Sequence, residues 1–177
     1  IEAGGFTVGV LVQTNFGGSL MINGAPVGRE LKKSPFSSSI PYDEDEGSCM
    51  IIIATDAPLS NRNLKRMAKR VDHAFGRVGA YSSNGSGDYA IIFSTSKPQS
   101  SDKKSFTRKE IKNNSMNGLF MATVEATEEA IINSLFMAET VSSKYGKMEE
   151  LPIDETMKIL KKYRALNWNK KLYPWKK

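Results

Sequence analysis

The 177-residue chain is 40% hydrophobic and 25% charged, enough apolar content to build one soluble globular domain and too much for a disordered tract. Its formal charge is +6, yet the basic residues lie scattered in pairs such as Lys65-Arg66, Lys103-Lys104 and Lys161-Lys162 without an aromatic-interleaved stripe, which argues against a nucleic-acid partner. The single cysteine, Cys49, excludes an internal disulfide, no Cys/His cluster has metal-ligand spacing, and the longest apolar run, Met50 to Ala54, is too short to span a bilayer.

The chain opens on Ile1-Glu2-Ala3-Gly4-Gly5 rather than Met, as though cut from a longer reading frame, and carries no leader pattern of its own. A cytoplasmic protein is expected, unless an upstream leader directs it elsewhere. Phe6 to Gln13 is β-branched and apolar on both parities, the pattern of a strand covered on two faces, and it stops at Thr14-Asn15-Phe16-Gly17-Gly18. Ser19 to Ile22 reads as a second strand ending in the turn Asn23-Gly24, and Ala25 to Leu31 as a short extended piece. Lys32 to Gly47 is rich in Ser, Pro and acid without periodicity and reads as an exposed loop.

At Gly47-Ser48 the acidic loop gives way to Cys49-Met50-Ile51-Ile52-Ile53-Ala54, a buried strand. A hydroxyl therefore stands where loop meets core. Glycine leaves the preceding carbonyl open to approach, and the following strand would hold the serine rigidly, as a self-cleaving hydrolase requires. Read alone, the dipeptide fits an ordinary strand entry better.

Ser60 stands in the N-cap place of an amphipathic helix carrying Leu64, Met67, Val71 and Ala74-Phe75, which Gly76 and Gly79 should end. The loop Asn84-Gly85-Ser86-Gly87-Asp88 feeds a further buried strand, Tyr89 to Ser94, and Thr95 to Asn114 reads as a surface excursion. The longest helix is expected from Met116 to about Val141, with an apolar face wide enough to lie on a sheet. Glu125, Glu128 and Glu129 on it repel one another at that spacing and read as a solvated face. A last helix starts near Asp154 and runs through Tyr163, and no role is assigned to the tail from Asn167 to Lys177. Strands and helices in this arrangement favour a layered α/β or α+β sandwich over a nucleotide-binding βαβ fold.

Five blocks in order resemble the DmpA-type aminopeptidases, which include L-aminopeptidase/D-esterases and β-peptidyl aminopeptidases. They are Gly5 to Gly17, Pro26 to Leu31, Gly47-Ser48 with Ile51 to Leu59, Asn84 to Asp88, and Asn117 to Phe120 running into Val124 to Ile131. The resemblance implies an α+β fold, a four-layer αββα sandwich of the N-terminal-nucleophile hydrolase type, here incomplete at its N-terminus. It implies self-cleavage between Gly47 and Ser48: residues 1–47 would end the larger chain and 48–177 would form the smaller one. Ser48 would be the nucleophile of a serine aminopeptidase acting on short peptides, amides or esters. Ser86 and Asp88 match the supporting serine and acid, and Asn15 the oxyanion-hole asparagine. Association of the two chains and a homo-oligomer are implied as well.

Asp88 stands where the family usually has Glu, and the upstream region that supplies the family's substrate-gripping carboxylate is not in this chain. The chemistry of the residues agrees with the resemblance. A freed α-amine, with a reference pKa of about 8, can take the proton of its own serine hydroxyl, so neither a cofactor nor a histidine is required. His73, the only histidine, is expected to be a surface or packing residue rather than a triad member. Rival readings are an ornithine acetyltransferase-like acyltransferase, whose nucleophile is threonine, and an unprocessed relative acting as a subunit or binding protein.

Overall fold

The computed structural model describes residues 1–33, 47–97, 100–101, 104–107 and 109–166. Most of the expected processing loop and the C-terminal tail lie outside these residues. Four strands form one sheet in the order β1 (Glu2–Ala3), β2 (Phe6–Asn15), β3 (Ser48–Thr55) and β4 (Gly87–Ser94). β2 and β3 are antiparallel, and β3 and β4 run parallel. Hydrophobic burial selects the register: Val8, Cys49, Ile51 and Ile53 face the helices and are essentially inaccessible, each large side chain among them contributing about 1.5–3 kcal/mol.

The helices α2 (Asn61–Ala68), α3 (Val71–Val78) and α4 (Asn117–Phe136) cover that face. α4 lies along β2 and is fastened near the strand's end by a 2.8 Å hydrogen bond between the Thr14 and Ser134 hydroxyls. Thr123 and Thr127, fully buried on α4, donate back to the carbonyls of Leu119 and Thr123, which lets two polar residues sit in the core. Glu125 and Glu129 are exposed, as the solvated reading expects, whereas Glu128 is half-buried and accepts a 2.8 Å hydrogen bond from Arg77 of α3.

The opposite face of the sheet is bare among the described residues. Leu11, Met50, Ile52, Tyr89, Ile91 and Phe93 all project from it, with Leu11 68% and Tyr89 62% exposed. The expectation of strands covered on two faces therefore holds for one face only. A contiguous apolar surface of this kind marks an interface.

Several elements depart from the sequence reading. Ser19 to Ile22 is not a strand: it runs beside the end of α3, with Ser19 N–H donating to Gly79 O and Met21 N–H to Val78 O. The Asn23-Gly24 turn is present, with φ of 48° and 80°, and closes a bridge between Ile22 and Ala25. The expected extended piece that follows contains a helical turn, α1 (Val27–Glu30): Pro26 stands at its N-cap and accepts the Glu30 N–H, and Val27 packs in one cluster with Ile159 and Leu160 of α5 (Ile153–Lys162). The single helix expected after Ser60 is two, since i to i+3 hydrogen bonds from Arg70 to Met67 and from His73 to Arg70 tighten the chain between them. Gly79, at φ 83°, ends α3, whereas Gly76 lies inside it.

α4 stops at Phe136, and Val141 belongs to a small exposed hairpin, β7 (Val141–Ser143) with β8 (Gly146–Met148). The surface excursion holds the two-residue strands β5 (Ser100–Ser101) and β6 (Phe106–Thr107). Asp154 lies in the first turn of α5, where it favours the helix dipole, and Pro152 occupies the cap position.

Candidate active site

β2, β3 and β4 bring the sequence-selected residues to one end of the sheet. Asn15 is the register partner of Ser48 across the antiparallel pair, and Gly87 is its partner across the parallel pair. Alternation along the strands puts Ser48 and Asn15 on the open face with Leu11, Met50 and Ile52, whereas Cys49 and Asp88 point to the helix side. Strand pairing at about 5 Å thus holds the serine and the asparagine side by side without any loop intervening.

The Ser48 hydroxyl donates to the carbonyl of Gly47 at 2.6 Å, so it lies against the peptide bond proposed for scission. Gly87 N–H reaches the same carbonyl at 3.2 Å and the Ser48 oxygen at 3.4 Å. Gly47 is buried, and a Cβ there would meet the Phe16 Cα at 2.8 Å and the Asn15 carbonyl oxygen at 3.2 Å. Only a glycine lets the two strand ends approach this closely. The side-chain amide of Asn15 makes no hydrogen bond among the described residues and is free to donate.

Ser86 and Asp88 form a unit of their own. The Ser86 hydroxyl donates to Asp88 Oδ2 at 2.9 Å, so the shorter acid still reaches its serine. Asp88 Oδ1 is buried without a partner among the described residues, beside a cavity of about 10 Å³ lined by Phe16, Phe75, Ser82 and Ser86, room for roughly one water. Among the described residues no hydrogen bond joins this pair to Ser48; the link is the backbone of Gly87, which sits between them. Burial, with a smaller contribution from the Asp88 carboxylate, pushes the Cys49 thiol up to about 11, which leaves the cysteine next to Ser48 inert.

His73 is exposed on α3, on the other side of the sheet from Ser48. A Ser-His-Asp triad is therefore absent. The Gly87 amide is a donor at this site that sequence reasoning missed, although the glycine between Ser86 and Asp88 signalled that a backbone approached there. A larger cavity, about 540 Å³, opens beside Asn15 between the end of β2, the last turns of α4 and the β7–β8 hairpin, lined by Gly17, Leu20, Ile131, Leu135 and Met148. Among the described residues no helix is long and apolar enough to cross a membrane and no His/Cys/Asp/Glu group could hold a metal ion.

Comparison with known proteins identifies the family. Residues 1–149 match the model of peptidase family S58. The β-peptidyl aminopeptidase BapA of Sphingosinicella microcystinivorans is 39% identical over 91% of this chain. The L-aminopeptidase D-Ala-esterase/amidase of Ochrobactrum anthropi, described as a prototype for the serine aminopeptidases and a new variant among the Ntn hydrolase fold, superposes with a TM-score of 0.78 at 30% identity over 94% of this chain. A protein from Pyrococcus horikoshii also gives a TM-score of 0.78, at 40% identity over 93% of the chain. The chain spans less than half of these relatives: 44% of BapA, 47% of the Ochrobactrum enzyme and 45% of the Pyrococcus protein.

Proposed function

The chain belongs to peptidase family S58, and from that premise we propose that it carries the nucleophile of a self-processing serine aminopeptidase acting on short peptides, amides or esters. The observation that carries the reading is the Ser48 hydroxyl lying against the Gly47 carbonyl at 2.6 Å, with Asn15 and Gly87 as its strand partners.

In self-cleavage, Ser48 Oγ attacks the Gly47 carbonyl carbon. The bond to Oγ forms, the Gly47–Ser48 amide breaks, and the departing nitrogen takes the proton that the hydroxyl gives up. Water then hydrolyses the ester, leaving a carboxylate on Gly47 and a free amine and hydroxyl on Ser48. Gly87 N–H, already directed at the Gly47 oxygen, is placed to hold the negative charge that develops there.

In turnover the freed amine accepts the hydroxyl proton as Oγ attacks the substrate carbonyl, and passes it to the leaving amine. Asn15 Nδ2 donates to the oxyanion, a contact typically worth about 3 kcal/mol in other hydrolases. Asp88, holding Ser86, supplies negative charge behind the amine and favours its protonated form as the transition state is reached. The acyl group then leaves Ser48 by hydrolysis. No metal or cofactor takes part.

Residues 1–47 then belong to the end of the larger chain and residues 48–177 to the smaller one. They stay associated through the eight register pairs of β2 with β3 and through α1 packed on α5. The bare apolar face of the sheet supports a second sheet against it, and hence the four-layer αββα sandwich and an assembly larger than this chain.

Rapid quenching of the full-length protein with an activated ester of an amino acid tests the reading. The acyl mass should appear on a peptide that begins at Ser48. An adduct elsewhere, or turnover unaffected by Ser48→Ala, would overturn it.

A further inference from the structure

β1 is only two residues long, yet its pairing does not end at Glu2. Ile1 N donates to Val8 O at 2.9 Å and Val8 N–H donates to Ile1 O at 2.8 Å, a reciprocal pair that continues the register of Glu2 with Thr7 and Ala3 with Phe6. The two-residue turn Gly4-Gly5, with φ of 62° and 84°, has the left-handed conformation of a tight hairpin and fixes that register. Beyond Val8 the hairpin has only one strand. Antiparallel alternation turns the N–H and C=O groups of Val10, Val12 and Thr14 to the same side as those of Val8, away from β3, and none has a backbone partner among the described residues. A strand edge of this length left bare invites pairing.

We infer that the edge of β2 from Gly9 to Asn15 is the seat of an antiparallel strand formed by the residues directly upstream of Ile1 in the full-length protein. The occupant follows from direction and length. The backbone entering Ile1 comes from the Asn15 end of β2, and BapA is more than twice as long as this chain, which covers 44% of it.

The hairpin dictates each partner: every step along β2 moves one residue further upstream, so Leu11 faces the third residue before Ile1, Gln13 the fifth and Asn15 the seventh. The sixth, opposite Thr14, turns to the helix side, over the cavity that Ile131, Leu135 and Met148 line. The seventh lies on the open face, beside the asparagine. If Asn15 is the oxyanion donor proposed above, this upstream residue is its neighbour on the side away from Ser48 and limits what the substrate can place there.

The test uses the full-length Ser48→Ala protein, so that its outcome does not depend on self-cleavage. Gln13→Cys is combined in turn with cysteine at the fourth, fifth or sixth residue before Ile1. Gln13 occupies a non-hydrogen-bonded position on this edge, where Cα atoms pair at about 4.5 Å, within disulfide range. Mild oxidation should cross-link the fifth position and neither neighbour. Amides of Val10, Val12 and Thr14 in the protein without added cysteines should exchange at least about 100-fold slower than unprotected amides. Cross-linking at the fourth or sixth position instead, or fast exchange at all three amides, overturns the inference even if Ser48 is the nucleophile. Conversely, the expected cross-link in a protein that never cleaves itself would leave the strand standing and remove the proposed activity.

Discussion

Gly47→Ala tests the claim that the scissile carbonyl is held by contact between backbones. The added Cβ would lie 2.8 Å from the Phe16 Cα, 3.2 Å from the Phe16 Cβ and 3.2 Å from the Asn15 carbonyl oxygen. Carbon atoms settle at about 3.5–4.0 Å, so the Asn15-Phe16 backbone must retreat by about 1 Å or the Gly47 carbonyl must turn away from Ser48. Overpacking of this kind costs about 1–3 kcal/mol, and a 1 Å misplacement can cost about 100-fold in rate.

Urea unfolding of the Ser48→Ala and the Gly47→Ala/Ser48→Ala proteins reads the first quantity without interference from cleavage. The half-life of newly made precursor reads the second, with self-cleavage expected to slow about 100-fold. Gly76→Ala serves as the contrast, since nothing lies within 4 Å of its Cβ inside α3, and it should stabilise by up to about 1 kcal/mol. A Gly47→Ala precursor that matures at the parent rate with an unchanged unfolding midpoint would refute the reasoning.

Ser86→Ala leaves the half-buried Asp88 carboxylate without a hydrogen bond on either oxygen among the described residues, so stability should fall by about 1 kcal/mol and kcat with it; equal kcat in parent and variant would show that the pair does not support the nucleophile. The Cys49 thiol, raised to about 11, contributes stability fully present below its ordinary pKa and lost as pH rises toward the raised value. At pH 8 it should therefore resist a thiol reagent in the native protein and react only on unfolding. Ile91→Asp on the open face, 57% exposed in this chain, should destabilise the full-length protein by about 3 kcal/mol if a second sheet covers it, and by no more than about 0.5 kcal/mol if the face meets solvent.

The sequence brings the candidate site residues into view more readily than the fold around them. The change of composition at Gly47-Ser48 marks Ser48 locally, whereas Asn15, Ser86 and Asp88, at a strand end and in a Gly-flanked loop, are singled out by the family resemblance. The Ser86–Asp88 hydrogen bond itself is local, its two residues being two apart in the chain. The Gly87 amide escaped because a backbone donor leaves no side chain to notice.

Helix and strand errors have a common origin in tertiary contacts. Ala25 to Leu31 looks extended until Val27 is seen packed in one cluster with Ile159 and Leu160, across more than half the chain. The break after Ala68 follows no glycine or proline; it accompanies Arg66 and Arg70 stacking over Phe120 at 4.8 Å and 4.1 Å. The hairpin after α4 has no buried residue in either strand, hence no alternation for the eye to catch. Apolar residues on both parities of β2 to β4 were read as two-sided burial, and the composition retains that imprint although one face is bare here.

The most direct test of the account is the intact mass of the purified full-length protein beside its Ser48→Ala variant under denaturing conditions. The account predicts two polypeptides from the parent, the smaller beginning at Ser48, and one uncut polypeptide from the variant. A single mass from both, or two from both, would contradict self-cleavage by the Ser48 hydroxyl.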